Sequence, residues 1–231
     1  MTKSLLNTHQ KCFLKFFCSR EELYKRFYFS GGTALSEYYL QHRYSEDLDF
    51  FSETEINQSD LNLFLTSHKK DFDAEQIQYT QSFNRNIFFF LFKNNKELKT
   101  EFTYYPFVRL EKGQTDGNMQ IDSALDIAVN KTFTLAQQAR GRDFFDLYML
   151  CQKFDFDFFD LVKKARQKFD YPINYIELGK NLVKICTLLD DPILIININR
   201  NDIEEYFLNI AKKLELIKWI ISEEFNSNQH E

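Results

Sequence analysis

Ser30-Gly31-Gly32-Thr33-Ala34-Leu35, followed by Ser45-Glu46-Asp47-Leu48-Asp49-Phe50-Phe51, is the stretch on which the reading of this chain turns. Two glycines opening a helix let backbone N–H groups come close to a ligand, and a helix start favours a phosphate. Alone, a Gly-Gly pair is more often a simple turn. The Asp-x-Asp that follows changes its meaning. On a strand, residues i and i+2 point the same way, roughly 6.6 Å apart along the chain. Leu48 and Phe50 then face a core, while Asp47 and Asp49 face outward together. Two neighbouring anions repel unless a cation lies between them. Hard oxygen ligands in such a pair suit Mg²⁺ bound jointly with substrate phosphates. An exposed polar strand face is the plain alternative.

Working outward, Phe27–Phe29 reads as a short extended piece, Thr33–Gln41 as a helix and Asp47–Phe51 as a strand. Upstream, Leu5, Leu6, His9, Cys12, Phe13, Phe16 and Phe17 recur at helical spacing, which predicts an opening amphipathic helix. Downstream, a helix is predicted over Asp60–Lys69, then strands over Ile77–Phe83, Asn86–Lys93 and Glu97–Tyr105. The middle strand lacks alternation, as one buried on both faces should, and Asn94-Asn95 is a credible hairpin turn. In the last strand Leu98, Thr100 and Phe102 share one face, and Lys99, Glu101 and Thr103 the other. Glu101 therefore reaches the side of the aspartates if the two strands adjoin.

From Asp122 the pattern changes to helices: Ser123–Ala139, Asp143–Phe154, Asp157–Phe169, Asn174–Leu189 and Asp202–Phe225. Gly113–Gly117 is the best candidate linker. The expected architecture is α+β, with a small mixed sheet and flanking helices over 1–120 and an α-helical bundle over 121–231.

Composition narrows the function classes. The chain has 231 residues, 44% hydrophobic and 27% charged, which fits a globular protein and excludes collagen-like and wholly disordered classes. With 29 basic against 34 acidic residues it is no general polyanion binder, so any nucleic acid must be held by a local patch or through metal ions. Its 26 Phe are better read as biased usage than as an aromatic binding surface. Cys12, Cys18, Cys151 and Cys186 stand far apart, neither a zinc spacing nor a disulfide framework, which suits a reducing cytosol. No signal peptide or membrane span is expected, and the location expected is cytoplasmic.

Gly-Gly, Asp-x-Asp and a later strand carboxylate together resemble the outline of a DNA polymerase beta-like nucleotidyltransferase. The run GGTALSEYYLQHRYSEDLDFF is similar to the signature of the abortive-infection AbiEii toxin-like nucleotidyltransferases. LKTEFTYYPF, DSALDIAVNK and RGRDFFDLYML extend the resemblance in the same order, across residues 28 to 150. Glu101 stands where a shorter Asp is more usual, and 14 residues separate Gly32 from Asp47, a long gap for the superfamily.

The resemblance implies a fold, an activity and a site. Asp47 and Asp49 would hold Mg²⁺ (or Mn²⁺), with Glu101 completing a second metal position and acting on an acceptor hydroxyl. Ser30, Gly31, Gly32, Thr33 and Ser45 would cradle the triphosphate of an NTP. Lys131 and Asp146 would be contributed by the helical domain. Lys131 shares a helical face with Ala124, Ile127, Ala128 and Leu135, and burying an unpaired ammonium is costly. It must snorkel or meet an anion; the resemblance implies that the anion is the triphosphate. Were its role only structural, Lys131→Ala should be neutral or slightly stabilising. Asp143 reads as a helix N-terminal residue, and Arg140 and Arg142 as partners of carboxylates or of RNA. His42 and Arg43 lie in the loop between turn and strand, with contact to nucleotide and an exposed polar role equally open. Lys163, Lys164, Arg166 and Lys168 read first as a solvated helix face.

The resemblance also implies a toxin of a toxin–antitoxin or phage-defence pair, a tRNA-like RNA acceptor labelled at its 3′ end, and a cognate antitoxin. Transfer to a protein hydroxyl, or a catalytically silent nucleotide-binding module, are the rival readings.

Overall fold

The structure, a computed structural model, describes residues 4–227, with side chains described as far as Leu214 apart from Asn94. The chain divides into two compact units, Met1–Ile127 and Ala128–Glu231. Among the described residues no helix is long and apolar enough to cross a membrane.

The first unit opens with α1 (Thr8–Ser19), started by a reciprocal capping box between Asn7 and Gln10, and a short α2 (Glu21–Tyr24). β1 (Tyr28–Ser30) leads directly into α3 (Gly31–Ala34), which continues as a π-helix over Leu35–Leu40. The helix thus begins at the glycines, two residues before the expected Thr33. It closes with Gln41 in a left-handed conformation, its N–H donating to the Ser36 carbonyl in an i→i+5 bond of 2.9 Å. Then come β2 (Leu48–Ser52), α4 (Gln58–Ser67), β3 (Gln76–Ser82), β4 (Arg85–Leu91) and β5 (Glu97–Tyr104). β6 (Thr115–Asp116) and β7 (Met119–Ile121) finish the unit's strands.

These strands form one mixed sheet of seven in the order β3-β4-β5-β2-β1-β7-β6. β2 runs parallel to β5 and antiparallel to β1, while β1 runs parallel to β7. On β2, Leu48 and Phe50 are fully buried and Asp49 and Phe51 half-buried, so the alternation predicted from Asp-x-Asp holds. The core on the Leu48 face is aromatic. Phe17 stacks on Phe50 at 4.3 Å, Phe50 on Phe102 at 5.1 Å, and Phe13 meets Phe90 at 4.9 Å. Many of the phenylalanines pack in the core.

Two expectations are corrected. β4 is not buried on both faces: Phe88 and Phe90 join the core, while Ile87, Phe89 and Leu91 are half-buried on the opposite face, which carries Asp49 and Glu101. Nor is Gly113–Gly117 a linker. Thr115–Asp116 pairs with Met119–Gln120, and Gly117, at φ +57°, supplies the left-handed residue of the intervening tight turn.

α5 (Ala124–Gln137) spans the division between the units. Its start is set by Ser123, whose hydroxyl accepts from the Asp126 N–H at 2.9 Å and donates to the Asp126 carboxylate at 2.8 Å. The regular elements of the second unit are helices: α6 (Gly141–Phe154), α7 (Phe158–Phe169), α8 (Tyr175–Val183) and α9 (Arg200–Ser227). Asp157 and Asn174 cap α7 and α8. Apolar contacts include Phe133 stacked on Phe169 at 4.0 Å and Phe144 edge-on to Phe207 at 4.9 Å.

Candidate active site

The site grows from the junction of β1, α3 and β2. Ser30 pairs with Asp49 across the β1–β2 ladder, and Asp49 pairs with Glu101 across β2–β5. Directly opposed residues share a face, so Asp49 and Glu101 stand side by side next to the glycine turn. Gly31 has φ +75°, and a Cβ placed on it would collide with the Asp49 carboxylate, its Cγ only 2.9 Å away. A Cβ on Gly32 would meet Arg43 Nη2 at 2.6 Å and Ser45 Oγ at 3.0 Å. Both glycines are thus required by close approach, and the groups that approach are an acid, a guanidinium and a hydroxyl.

Other predicted residues support the turn from beneath. Ser30 Oγ donates to Asp122 Oδ2 at 2.8 Å, in full burial, and Thr33 Oγ1 donates to the Asp47 carbonyl. Their hydroxyls therefore fix backbone and a carboxylate rather than reaching outward. His42 and Arg43 are buried, which removes the exposed-loop reading of them. Arg43 Nη1 donates to the Tyr44 carbonyl at 2.9 Å.

Sequence reasoning missed three residues here. Gln10 of α1, 1% exposed, donates its amide N–H groups to the carbonyls of Ser45 and Glu46 at 2.9 and 3.0 Å. It thereby positions the backbone leading into Asp47. Lys99 Nζ lies 3.0 Å from Asp47 Oδ2 and 2.6 Å from Glu101 Oε1. Arg85 grips Glu101 with two bonds, Nε to Oε2 at 2.8 Å and Nη2 to Oε1 at 2.6 Å. Lys99 had a legible signal, since it lies on the Glu101 face of its own strand. Gln10 and Arg85 come from other elements and had none.

The electrostatics follow from these contacts. Burial alone would raise the Glu101 carboxyl, but the hydrogen bonds and charges of Arg85 and Lys99 outweigh it and hold the group below the usual glutamate range. Burial would lower the Lys99 ammonium, yet its bonds to Glu101 and Asp47 prevail and raise it. Both Glu101 oxygens accept from Arg85, and Oε1 also from Lys99.

The carboxylates here are hard oxygen donors, the type that a divalent cation held jointly with phosphates takes. Carboxylates from Asp47 and Glu101 already share one bridging cation, the Lys99 ammonium, and Asp49 lies on the same face. Among the described residues no three His, Cys, Asp or Glu side chains converge on a single point as metal ligands. Asp47 and Asp49 are the residues that would hold an ion, with Glu101 beside them.

Lys131 and Asp146 lie in the second unit. Lys131 Nζ is 2.8 Å from Asp143 Oδ1 and 2.7 Å from Asp146 Oδ2, and Arg140 Nε is 2.8 Å from Asp143 Oδ2. Both carboxylates are buried. The lysine on the apolar stripe thus has two aspartates for its anion, and Asp143 does more than start a helix. Burial pushes Asp143 up, but the charges of Lys131 and Arg140 with the Lys131 hydrogen bond prevail and lower it. Arg142 is exposed. In the basic cluster Lys164 pairs with Asp160, and Arg166 Nη1 donates to the Tyr175 hydroxyl at 3.3 Å.

Comparison with known proteins identifies the family and the fold. A sequence model described as "Nucleotidyl transferase AbiEii toxin, Type IV TA system" matches residues 14–205. A protein of Aquifex aeolicus (strain VF5), described as uncharacterized protein aq_aa25, is 28% identical over 189 residues, 81% of this chain and 87% of that one. Two Helicobacter pylori crystal structures share the fold. JHP933 is 21% identical with a TM-score of 0.56, covering 96% of each chain. The other, provisionally described as a nucleotidyltransferase, is 22% identical with a TM-score of 0.56, covering 92% of this chain and 99% of its own.

Proposed function

The chain belongs to the AbiEii nucleotidyl transferase toxin family and is a nucleotidyltransferase; from that premise we propose that it moves a nucleotide from an NTP to the 3′ hydroxyl of a tRNA-like RNA, with Mg²⁺. The observation that carries this reading is the apposition of Asp49, paired in register with Glu101, against a glycine turn into which no side chain fits.

Asp47 and Asp49 would hold Mg²⁺, with Mn²⁺ able to replace it. When bound, the ion supplies neutralisation of phosphate charge and polarisation of the reacting oxygens. The backbone of Gly31 and Gly32, with the Ser45 hydroxyl and the Arg43 guanidinium beside them, supplies donors for the triphosphate. The acceptor oxygen would bond to the α-phosphorus as the bond to the β-phosphate oxygen breaks, releasing pyrophosphate. Glu101, clamped by Arg85 and Lys99, sets the charge and orientation of the aspartates' surroundings instead of accepting the hydroxyl proton. That proton passes to solvent.

The acidic overall charge supports a compact acceptor end over long RNA, because few phosphates can be neutralised. As a member of a type IV toxin family it would be countered by a cognate antitoxin. We further propose that the second unit is a helical bundle and that the protein works in the cytoplasm.

Incubation with each α-labelled NTP, Mg²⁺ and total RNA tests the reading. Label in tRNA-sized RNA at the 3′ end supports it. Label in a protein and none in RNA would replace it with transfer to a protein hydroxyl.

A further inference from the structure

The face that carries Asp47, Asp49 and Glu101 also carries Lys99 and Arg85, and these are held differently. Arg85 is a planar fork locked on both oxygens of one carboxylate, at 2.8 and 2.6 Å. Lys99 is a point charge on a flexible four-carbon stem. Its ammonium bridges two carboxylates from two strands, 3.0 Å from Asp47 and 2.6 Å from Glu101, with 29% of its side chain exposed. The β2–β5 register, Leu48 with Thr100 and Asp49 with Glu101, places Lys99 next to Asp47 and two residues before Glu101 on one face. A cation thus sits between the carboxylates a metal would need, and it belongs to the protein.

We propose that Lys99 is an internal counter-cation that keeps divalent metal from binding tightly until nucleotide arrives, and then transfers its ammonium from the carboxylates to the nucleotide's phosphates. The inference rests on the metal-site reading above and deepens it. With Lys99 in place, free metal must displace an ammonium that already bridges Asp47 and Glu101, and so meets a competing cation and hydrogen-bond donor. A metal arriving with a triphosphate brings the anion that the ammonium needs when it leaves. Mg²⁺ is held in many sites by one or two carboxylates together with substrate phosphates, and Lys99 would make that joint binding obligatory. Asp47, relieved of its bond to Lys99, becomes available as a ligand only in the ternary state. Arg85 stays on Glu101 throughout, which is why the two cations differ in kind.

The test measures metal binding without turnover. Free Mn²⁺ is titrated by electron paramagnetic resonance against wild type, Lys99→Met, Lys99→Gln and Asp47→Asn. Each titration is run with and without an NTP analogue bridged by methylene between the α- and β-phosphates. Thermal melts confirm that each variant is folded. Wild type should bind Mn²⁺ weakly alone and more tightly with the analogue. Lys99→Met and Lys99→Gln should bind Mn²⁺ alone roughly tenfold more tightly, since a competing charge within about 4 Å is gone. Both should also lose most of the gain given by the analogue. Unchanged or weaker Mn²⁺ affinity in both Lys99 variants, with binding still abolished by Asp47→Asn, would overturn the role of Lys99 and leave the metal site standing. Mn²⁺ binding indifferent to Asp47→Asn would overturn both.

Discussion

Lys131→Met removes one charge from a buried cluster while keeping most of its volume. Lys131 is paired with Asp143 at 2.8 Å and Asp146 at 2.7 Å, and Arg140 with Asp143 at 2.8 Å, so two acids meet two bases. In the variant Asp143 keeps its bond to Arg140, and both buried carboxylates lose the Lys131 ammonium. Breaking a buried ion pair from one side costs about 3–5 kcal/mol. A second route to the magnitude agrees. The cheapest relief is to protonate one aspartate, and from an ordinary value near 3.9 that costs about 4 kcal/mol at pH 7. The variant's native state then binds one proton more than its unfolded state. Its stability should therefore fall with rising pH, by about 1.4 kcal/mol per unit. In the wild type the sign is opposite: Asp143 is depressed on folding, so its contribution is present above the unfolded aspartate value and lost as pH falls below it. Urea denaturation at pH 5 and pH 7 measures both effects. The penalty should be about 3–5 kcal/mol at pH 7, or about 6–20 °C in Tm for a chain of this size, and smaller at pH 5. Stability within about 0.5 kcal/mol of wild type at pH 7, or a penalty independent of pH, would refute the cluster as described. The neutral effect that a purely structural role would have given Lys131→Ala is replaced by the same loss.

Gly31→Ala forces a left-handed residue to carry a Cβ beside Asp49 Cγ; the backbone alone should cost about 1–2 kcal/mol, and transfer activity should fall further than the melting temperature indicates. Gln10→Leu strands the carbonyls of Ser45 and Glu46 and should cost about 1–3 kcal/mol in urea titration. Phe17→Ala, which opens the aromatic core where Phe17 stacks on Phe50, should cost about 3–5 kcal/mol in the same assay.

Much of this was legible in sequence because it depends on local period. The alternation of Leu48, Asp49 and Phe50 set the face of the acids, and the face of Glu101 followed from its own strand. What the strand could not say was its neighbour, and the role of Glu101 waited on the parallel pairing of β2 with β5. Arg85 reaches Glu101 across a ladder, and Gln10 reaches Ser45 from 35 residues away, so neither has a local signature. His42 and Arg43 looked like loop residues because polarity predicts exposure, whereas here the guanidinium packs on Gly32. For Lys131 the sequence showed that an anion was needed, and only the packing of α5 with α6 supplied which one. Turn chemistry misled at Gly113–Gly117, where Gly117 turns a hairpin rather than marking a linker.

Metal-dependent nucleotidyl transfer through Asp47 and Asp49 is tested most directly by parallel reactions with NTP labelled at the α- or the γ-phosphate, using wild type and Asp47→Ala with Mg²⁺ and total RNA. The acceptor should be labelled from the α position only, labelled pyrophosphate should be released from the γ position, and a folded Asp47→Ala protein should transfer nothing. Label delivered from the γ-phosphate, or Asp47→Ala as active as wild type, would contradict it.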